Sequence, residues 1–322
     1  TQDYGQGDST DPNVTTAKVT GIAPEAQIYF QAIADYHPRR GLTLGGLPND
    51  LNALFQPAYD AGARVHSNSW GSDAAGAYTT SSQDVDQFMW NNPDMLVTTS
   101  AGNAGIDADN DGYVDEDSMG SPASAKNVLT VGATENARTN GGVNLEDGSN
   151  DIDEVQCSGN LGGPAWRNCW PDDFDAAPTG PDYIGGTDNH GEMAAFSSRG
   201  PTDDGRIKPD VVGNGMWLFS TWGETPFWAT AAGTSMAAPN VTGSLLLLQE
   251  HWQDLHGAGS KMRAATLKAL AIHTADEAGN ADGPDYAFGW GLLNTKSAAS
   301  VISEEGNGHR IIEDSLPDSG LD

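Results

Sequence analysis

Short apolar runs recur along this chain, and segments with helical spacing separate them. That rhythm limits the fold more than any other feature. RVHSNSWG (64–71), MLVTTSAGN (95–103) and NVLTVGAT (127–134) are rich in β-branched residues and carry glycine near their ends, so each reads as a buried strand. AQIYFQAI (26–33) has the aromatic and β-branched character of a further strand, and AAFSS (194–198) and KPDVVG (208–213) continue the series. Between them, NDLNALFQPAYDAGA (49–63) sets Leu51, Leu54, Phe55 and Tyr59 close to helical spacing despite Pro57. SSQDVDQFMWNN (81–92) is expected to be a helix opened by a serine cap. Two helices, from Met236 to about His256 and from Ser260 to about Thr274, close the series. Strand, helix, strand in this order predicts an α/β fold with a parallel sheet covered by helices on both faces.

Residues 137–190 break the rhythm with little periodicity and many Asp, Gly and Asn, and read as an acidic surface insert in one domain spanning 1–305. From residue 306 to 322 the chain is polar and reads as the start of a linker. The insert holds both cysteines, Cys157 and Cys169, with eleven residues between them. A disulfide can close that spacing and would stabilise by about 3 kcal/mol on loop entropy. Such a pair suits an oxidising, secreted setting.

Charge narrows the partners. With 45 acidic residues against 15 basic, the formal net charge is -30. A surface of that sign repels nucleic acid and anionic membranes, so neither is expected as a partner. The acids are spread along the chain, which fits saline or calcium-rich surroundings. The longest aliphatic run, leucines 245 to 248, is far too short to cross a bilayer.

Chemistry gathers around GTSMAAPNVTG (233–243), where Ser235 stands at the mouth of an apolar helical run among small neighbours. A serine hydroxyl there has the setting of a nucleophile, but it needs a base to take its proton. Asn103 follows the end of a strand, where α/β sheets place their ligands, and its amide can donate to an oxyanion. Ser69-Trp70-Gly71 ends another strand with backbone suited to pairing with an extended peptide.

With GTSMAAPNVTG stand TTSAGNAG, VHSNSWG, SPASAKNVLTVGATE, FSSRGPTDDGRIKPDVV and FGWGLLN, in that company and order similar to the signature of the subtilases, the subtilisin-like serine proteases. The resemblance runs from about Gly21 to about Ser300 and is strongest to a bacterial secreted subgroup with a β-rich domain after the catalytic one. It implies Ser235 as nucleophile, with Asn103 and the Ser235 N–H as oxyanion donors. It implies that Ser69, Trp70 and Gly71, with Ser100, Ala101 and Gly102, line the peptide groove and its primary pocket. It also implies an aspartate and a histidine upstream of GIAPEA (21–26). The twenty residues before that segment hold no histidine and no aspartate-glycine strand end of the expected kind. The expectation is therefore a fold lacking its first central strand, and a chain inactive alone. An N-terminal segment of the same enzyme carrying Asp and His would then be a partner beside polypeptide substrates. His190, in DNHGEMAAFSS, is the alternative base, and a peptide-binding pseudoprotease or calcium-bound scaffold is the alternative function.

A second site is independent of the serine. DADNDGYVDED (107–117) spaces Asp107, Asp109 and Asp111 two apart, then Gly112, Tyr113 and Asp115. Alternating carboxylates around a glycine turn are the front of an EF-hand-like Ca2+ loop. The twelfth position is Ser118 instead of glutamate, leaving Glu116 or Asp117 to supply the last ligand.

Overall fold

The computed structural model describes residues 20–37, 41–106, 108, 113–135, 193–216, 218–222, 227–279, 282–306 and 310–314. In chain order its strands are β1 (Asp35–His37), β2 (Gly41–Thr43), β3 (Val65–Asn68), β4 (Leu96–Ser100), β5 (Leu129–Thr134), β6 (Val211–Asn214), β7 (Leu218–Trp222) and β8 (Phe227–Ala231). The helices, numbered in the same way, are α1 (Asn52–Asp60), α2 (Thr80–Asn91), α3 (Thr234–His256), α4 (Ala264–His273) and α5 (Thr295–Ser303).

Strands β3, β4, β5 and β6 form one parallel sheet in that order. Every residue of β4 and β5 is buried, so both pleat faces are covered, as parallel sheets require. Helix α3 packs along all four strands, while α2 and α4 pack on β4. Its buried residues Ala237, Ala238, Val241, Thr242, Leu245 and Leu248 recur at helical spacing and give one stripe against the sheet. On α1, Leu54, Phe55 and Ala58 are buried, and the Phe55 ring lies 5.3 Å from Phe88 of α2. The α/β expectation holds.

Several local expectations differ. The segment 26–33 is not a strand: Ile28 and Phe30 stand 86% and 84% exposed, and only Ile33 packs on the core. A strand exists only through a ladder partner, and among the described residues this segment has a single backbone bond from another segment, from the Gly46 N–H to the Ile33 carbonyl at 3.0 Å, and no ladder. AAFSS (194–198) is likewise irregular, with one bridge from Met193 to Thr134: its backbone turns, the Ser197 N–H donating to the Ala194 carbonyl, while the Ser198 N–H donates to the Gly102 carbonyl of another loop. Helix α2 is preceded by Thr79, and that residue makes no side-chain cap bond; its hydroxyl is hydrogen-bonded to Ser121 Oγ instead. Helix α5, absent from the sequence reading, is capped by Asn294 Oδ1, which accepts from the Ser297 N–H at 2.8 Å. The cysteine pair and the insert 137–190 lie outside the described residues.

Next to the parallel sheet sits a polar cluster with a packing role. Lys208 is buried, and its Nζ donates to Asp210 Oδ2 at 2.5 Å and to Thr130 Oγ1 at 2.9 Å. The other Asp210 oxygen lies 2.9 Å from Lys268 Nζ on α4. Asp210 Oδ2 also accepts the Thr130 N–H of β5 at 2.7 Å. Although burial opposes its charge, the two ammoniums hold the Asp210 carboxyl below the ordinary range.

Candidate active site around Ser235

Ser235 sits in the first turn of α3. The turn is entered through Gly233, at φ +146°, a backbone region that L side chains rarely adopt. A Cβ there would meet the Asn103 amide nitrogen at ordinary contact distance, 3.6 Å, so the backbone angle rather than space calls for glycine. The parallel register brings the ends of β3 and β4 to this same turn, so residues far apart in sequence meet: Ser69 after β3, Gly102 and Asn103 after β4, and Thr234 and Ser235 at the mouth of α3.

Asn103 is exposed, yet its amide is fixed. Its Oδ1 accepts the Thr234 N–H at 3.0 Å and the Thr234 hydroxyl at 2.8 Å. With the oxygen held on that side, the amide nitrogen is the end turned toward Gly233 and free to donate. The loop is braced from below as well. Ser198 is buried, its Oγ accepts the Ala104 N–H at 3.0 Å, and its N–H donates to the Gly102 carbonyl at 3.0 Å. Gly102 needs to be glycine, since at φ +115° a Cβ would lie 2.7 Å from Ser198 Oγ. Thr234 and Ser198 hold the Asn103 loop, and neither stood out as a site residue in the sequence. Thr234 carried a signal, lying next to the candidate nucleophile; Ser198 lay in the FSSRGPTDDGRIKPDVV motif, but nothing local tells that it braces a backbone 94 residues away.

The Ser235 hydroxyl donates to the Ser69 carbonyl at 3.3 Å. That acceptor orients the hydroxyl but cannot take its proton. In return, Ser69 Oγ donates to the Ser235 carbonyl at 2.8 Å. Trp70 is half-buried, packs against the main core and donates its indole N–H to Asn68 Oδ1 at 3.2 Å. Gly71 lies against Ser121, where a Cβ would stand 2.8 Å from the carbonyl oxygen. Ser100 and Ala101 are buried at the end of β4, and Gly102 is half-buried. Ala101 packs with Met119 and Ala123. These residues border one another around Ser235 and Asn103 rather than scattering over the surface.

His66 is the described histidine nearest to this site along the chain, and it is held as a neutral packing residue. Gln31 donates its amide to the Leu54 carbonyl at 2.7 Å, which leaves Gln31 Oε1 facing His66 Nε2 at 3.0 Å. The ring packs edge-on against Phe55 at 4.9 Å, and its buried Nδ1 has no partner among the described residues. Burial therefore pushes its pKa down to about 4, against a weaker opposing contact with Asn68. His251 meets Ser303, and His256 stacks on Trp252 and lies 3.3 Å from Glu305, both between α3 and α5. His190 is outside the described residues.

Of the acidic loop, Asp107, Asp109 and Asp111 also lie outside the described residues. Tyr113 and Asp115 are described. Asp115 ties the two ends of the loop together, its Oδ2 accepting the Ala108 N–H at 2.8 Å and its N–H donating to the Ile106 carbonyl at 2.7 Å. Among the described residues no group of three His, Cys, Asp or Glu could hold a metal ion.

Comparison with known proteins gives the family. The family profile described as Peptidase_S8, the subtilase family, matches residues 5–291. A serine protease/ABC transporter B family protein, tagB of Dictyostelium discoideum, is 27% identical over 95% of this chain and 18% of its own length. Its relative tagD is 28% identical over 84% of this chain and 17% of its own. Pyrolysin of Pyrococcus furiosus is 32% identical over 73% of this chain and 14% of its own. The chain thus spans less than a fifth of the length of these relatives. Among solved structures, the prenylagaramide maturation protease PagA superposes with a TM-score of 0.50 at 20% identity, over 79% of this chain and 67% of that one. At that identity the likeness speaks for the fold.

Proposed function

Because the chain belongs to the subtilase family, we propose that it is the nucleophile-bearing part of a secreted serine endopeptidase. Ser235 would attack the peptide carbonyl and form an acyl-enzyme. The Asn103 amide and the Ser235 N–H would hold the oxyanion. The bordering residues Ser69 to Gly71 and Ser100 to Gly102 would line the groove for polypeptide substrates. One observation carries this reading: Thr234 grips the Asn103 amide oxygen twice, so its nitrogen is preset beside the serine before any substrate arrives.

The proton acceptor belongs to the proposal too. Among the described residues the serine hydroxyl meets a carbonyl and no imidazole. An N-terminal segment of the same enzyme, carrying aspartate and histidine, would complete the triad. Two observations support it: β3 has no ladder partner on its outer edge among the described residues, and the apolar stretch 28–30 lies uncovered next to Gln31, which bonds to His66 of β3. A fluorophosphonate probe is expected to leave the isolated chain unlabelled and to label Ser235 once such a segment is supplied. Rapid labelling of the isolated chain would refute the need for the segment. Persistent silence with the segment bound would favour a pseudoprotease that binds extended peptides.

Calcium is the proposed stabiliser of the loop after Asn103, through Asp107, Asp109, Asp111, Tyr113 and Asp115. When bound it would supply positive charge that neutralises those carboxylates and fixes the loop. The ends of the loop already meet through Asp115. The expected result is a melting temperature higher in millimolar calcium than in excess chelator, by several degrees for about 2–3 kcal/mol of binding energy. Equal melting temperatures would remove the metal from the account.

A further inference from the structure

Pro239 lies inside α3, four residues after Ser235. In a helix the carbonyl of residue i is satisfied by the N–H of residue i+4, and proline has none. The Ser235 carbonyl is therefore deprived of its intrahelical donor in the very turn that presents the candidate nucleophile. The vacancy is filled from another element: Ser69 Oγ, 166 residues away at the end of β3, donates to that carbonyl at 2.8 Å. The backbone of the same Ser69 accepts the Ser235 hydroxyl at 3.3 Å. Two residues thus exchange two hydrogen bonds and fasten the strand end to the first helical turn.

We infer that Ser69 is a positioning residue for Ser235, its hydroxyl standing in for the N–H that Pro239 lacks and fixing the nucleophile's turn against the peptide-pairing strand. The exchange has a directional consequence. An extended peptide that pairs beside Ser69 presses on a residue already tied to the nucleophile, so groove occupancy and nucleophile placement are coupled through one side chain. A helix able to satisfy its own carbonyl would hold its shape equally well, but only the longer bond from the Ser235 hydroxyl to the Ser69 carbonyl would then tie its first turn to the end of β3.

This inference rests on the acyl-enzyme reading for its kinetic consequence, though not for the tether itself, and the test separates the two. In the full chain, amide exchange at Met236 and Ala237, which donate to the Gly233 carbonyl at 2.9 and 3.4 Å, reports the first turn without any activity. Ser69→Ala is expected to speed that exchange roughly fivefold to tenfold, the worth of one hydrogen bond. Ser69→Thr, which keeps the hydroxyl, restores it. Adding Pro239→Ala to Ser69→Ala gives the carbonyl its own N–H and also restores protection. With the Asp- and His-bearing segment supplied, kcat on a peptide substrate should fall about fivefold to tenfold in Ser69→Ala with KM little changed. It should recover in Ser69→Thr and stay low in the Ser69→Ala/Pro239→Ala pair.

Unchanged exchange in Ser69→Ala would overturn the tether. Faster exchange with unchanged kcat, or a double variant that regains kcat, would reduce Ser69 to an ordinary structural donor and overturn the positioning role. If the completed wild-type chain neither labels nor turns over, the acyl-enzyme reading falls while the exchange result still decides the tether.

Discussion

Asp210→Ala is expected to cost about 3–5 kcal/mol of folding stability, the toll of leaving buried charge without its partner. The carboxylate serves three donors at once: the buried Lys208 ammonium, the Lys268 ammonium of α4 and the Thr130 N–H of β5. Truncation would leave the Thr130 N–H unsatisfied and the buried Lys208, whose burial already pulls its pKa down to about 7, without the carboxylate that favours its charge. In a domain of this size that loss should lower the melting temperature by on the order of 10 °C, readable by calorimetry or urea titration. The sign with pH follows from the lowered Asp210 pKa. Its contribution is present above the unfolded value of 3.8 and is lost as pH falls toward the lower folded value. The gap between wild type and Asp210→Ala should therefore narrow in acid. A loss under about 1 kcal/mol at neutral pH would mean the cluster relaxes or hydrates far more readily than its burial implies.

That cluster also illustrates what the sequence could and could not express. KPDVVG revealed a strand through its valines, but nothing in it signalled that Lys208 and Asp210 would be buried together against Lys268, because the pairing depends on where β5 and α4 pass. Periodicity was enough for β4, β5 and α3, whose buried residues follow local spacing. It failed at 26–33, where the composition favours a strand but a ladder needs an adjacent chain. It failed again at AAFSS, where the backbone turns through the Ser197 N–H to Ala194 carbonyl bond instead of extending a ladder. For the site, residue types were legible and their fastenings were not. Ser235 and Asn103 stood out by neighbourhood, whereas the grip of Thr234 on Asn103 needs side-chain direction. So does the bond from Ser69 to Ser235. The missing N–H of Pro239 was written in GTSMAAPNVTG throughout, but only the position of β3 shows what replaces it.

The second large effect concerns Asn103. In the chain completed with its Asp- and His-bearing segment, Asn103→Leu is expected to lower kcat by the loss known for a single oxyanion donor in this family, on the order of 10²–10³, with KM little altered. On the proposed acyl-enzyme reading the amide nitrogen would meet the oxygen only after charge has developed on it, so its removal should be felt in the transition state and scarcely in substrate binding. Leucine also removes the acceptor for the Thr234 N–H and hydroxyl, so a fall in kcat could reflect a loosened turn as well. Asn103→Asp separates the two. Aspartate keeps an oxygen for Thr234 to grip and replaces the donor with a second acceptor bearing negative charge, which repels an oxyanion. If donation is what matters, Asn103→Asp should be at least as impaired as Asn103→Leu while retaining the wild-type melting temperature. Thr234→Val supplies the converse: the donor remains but its grip is halved, so a smaller loss, of roughly tenfold, is expected from misorientation alone. Should Asn103→Asp turn over peptide within a few-fold of wild type, the oxyanion must be held elsewhere, and the fastening of the Asn103 amide by Thr234 would have no catalytic meaning.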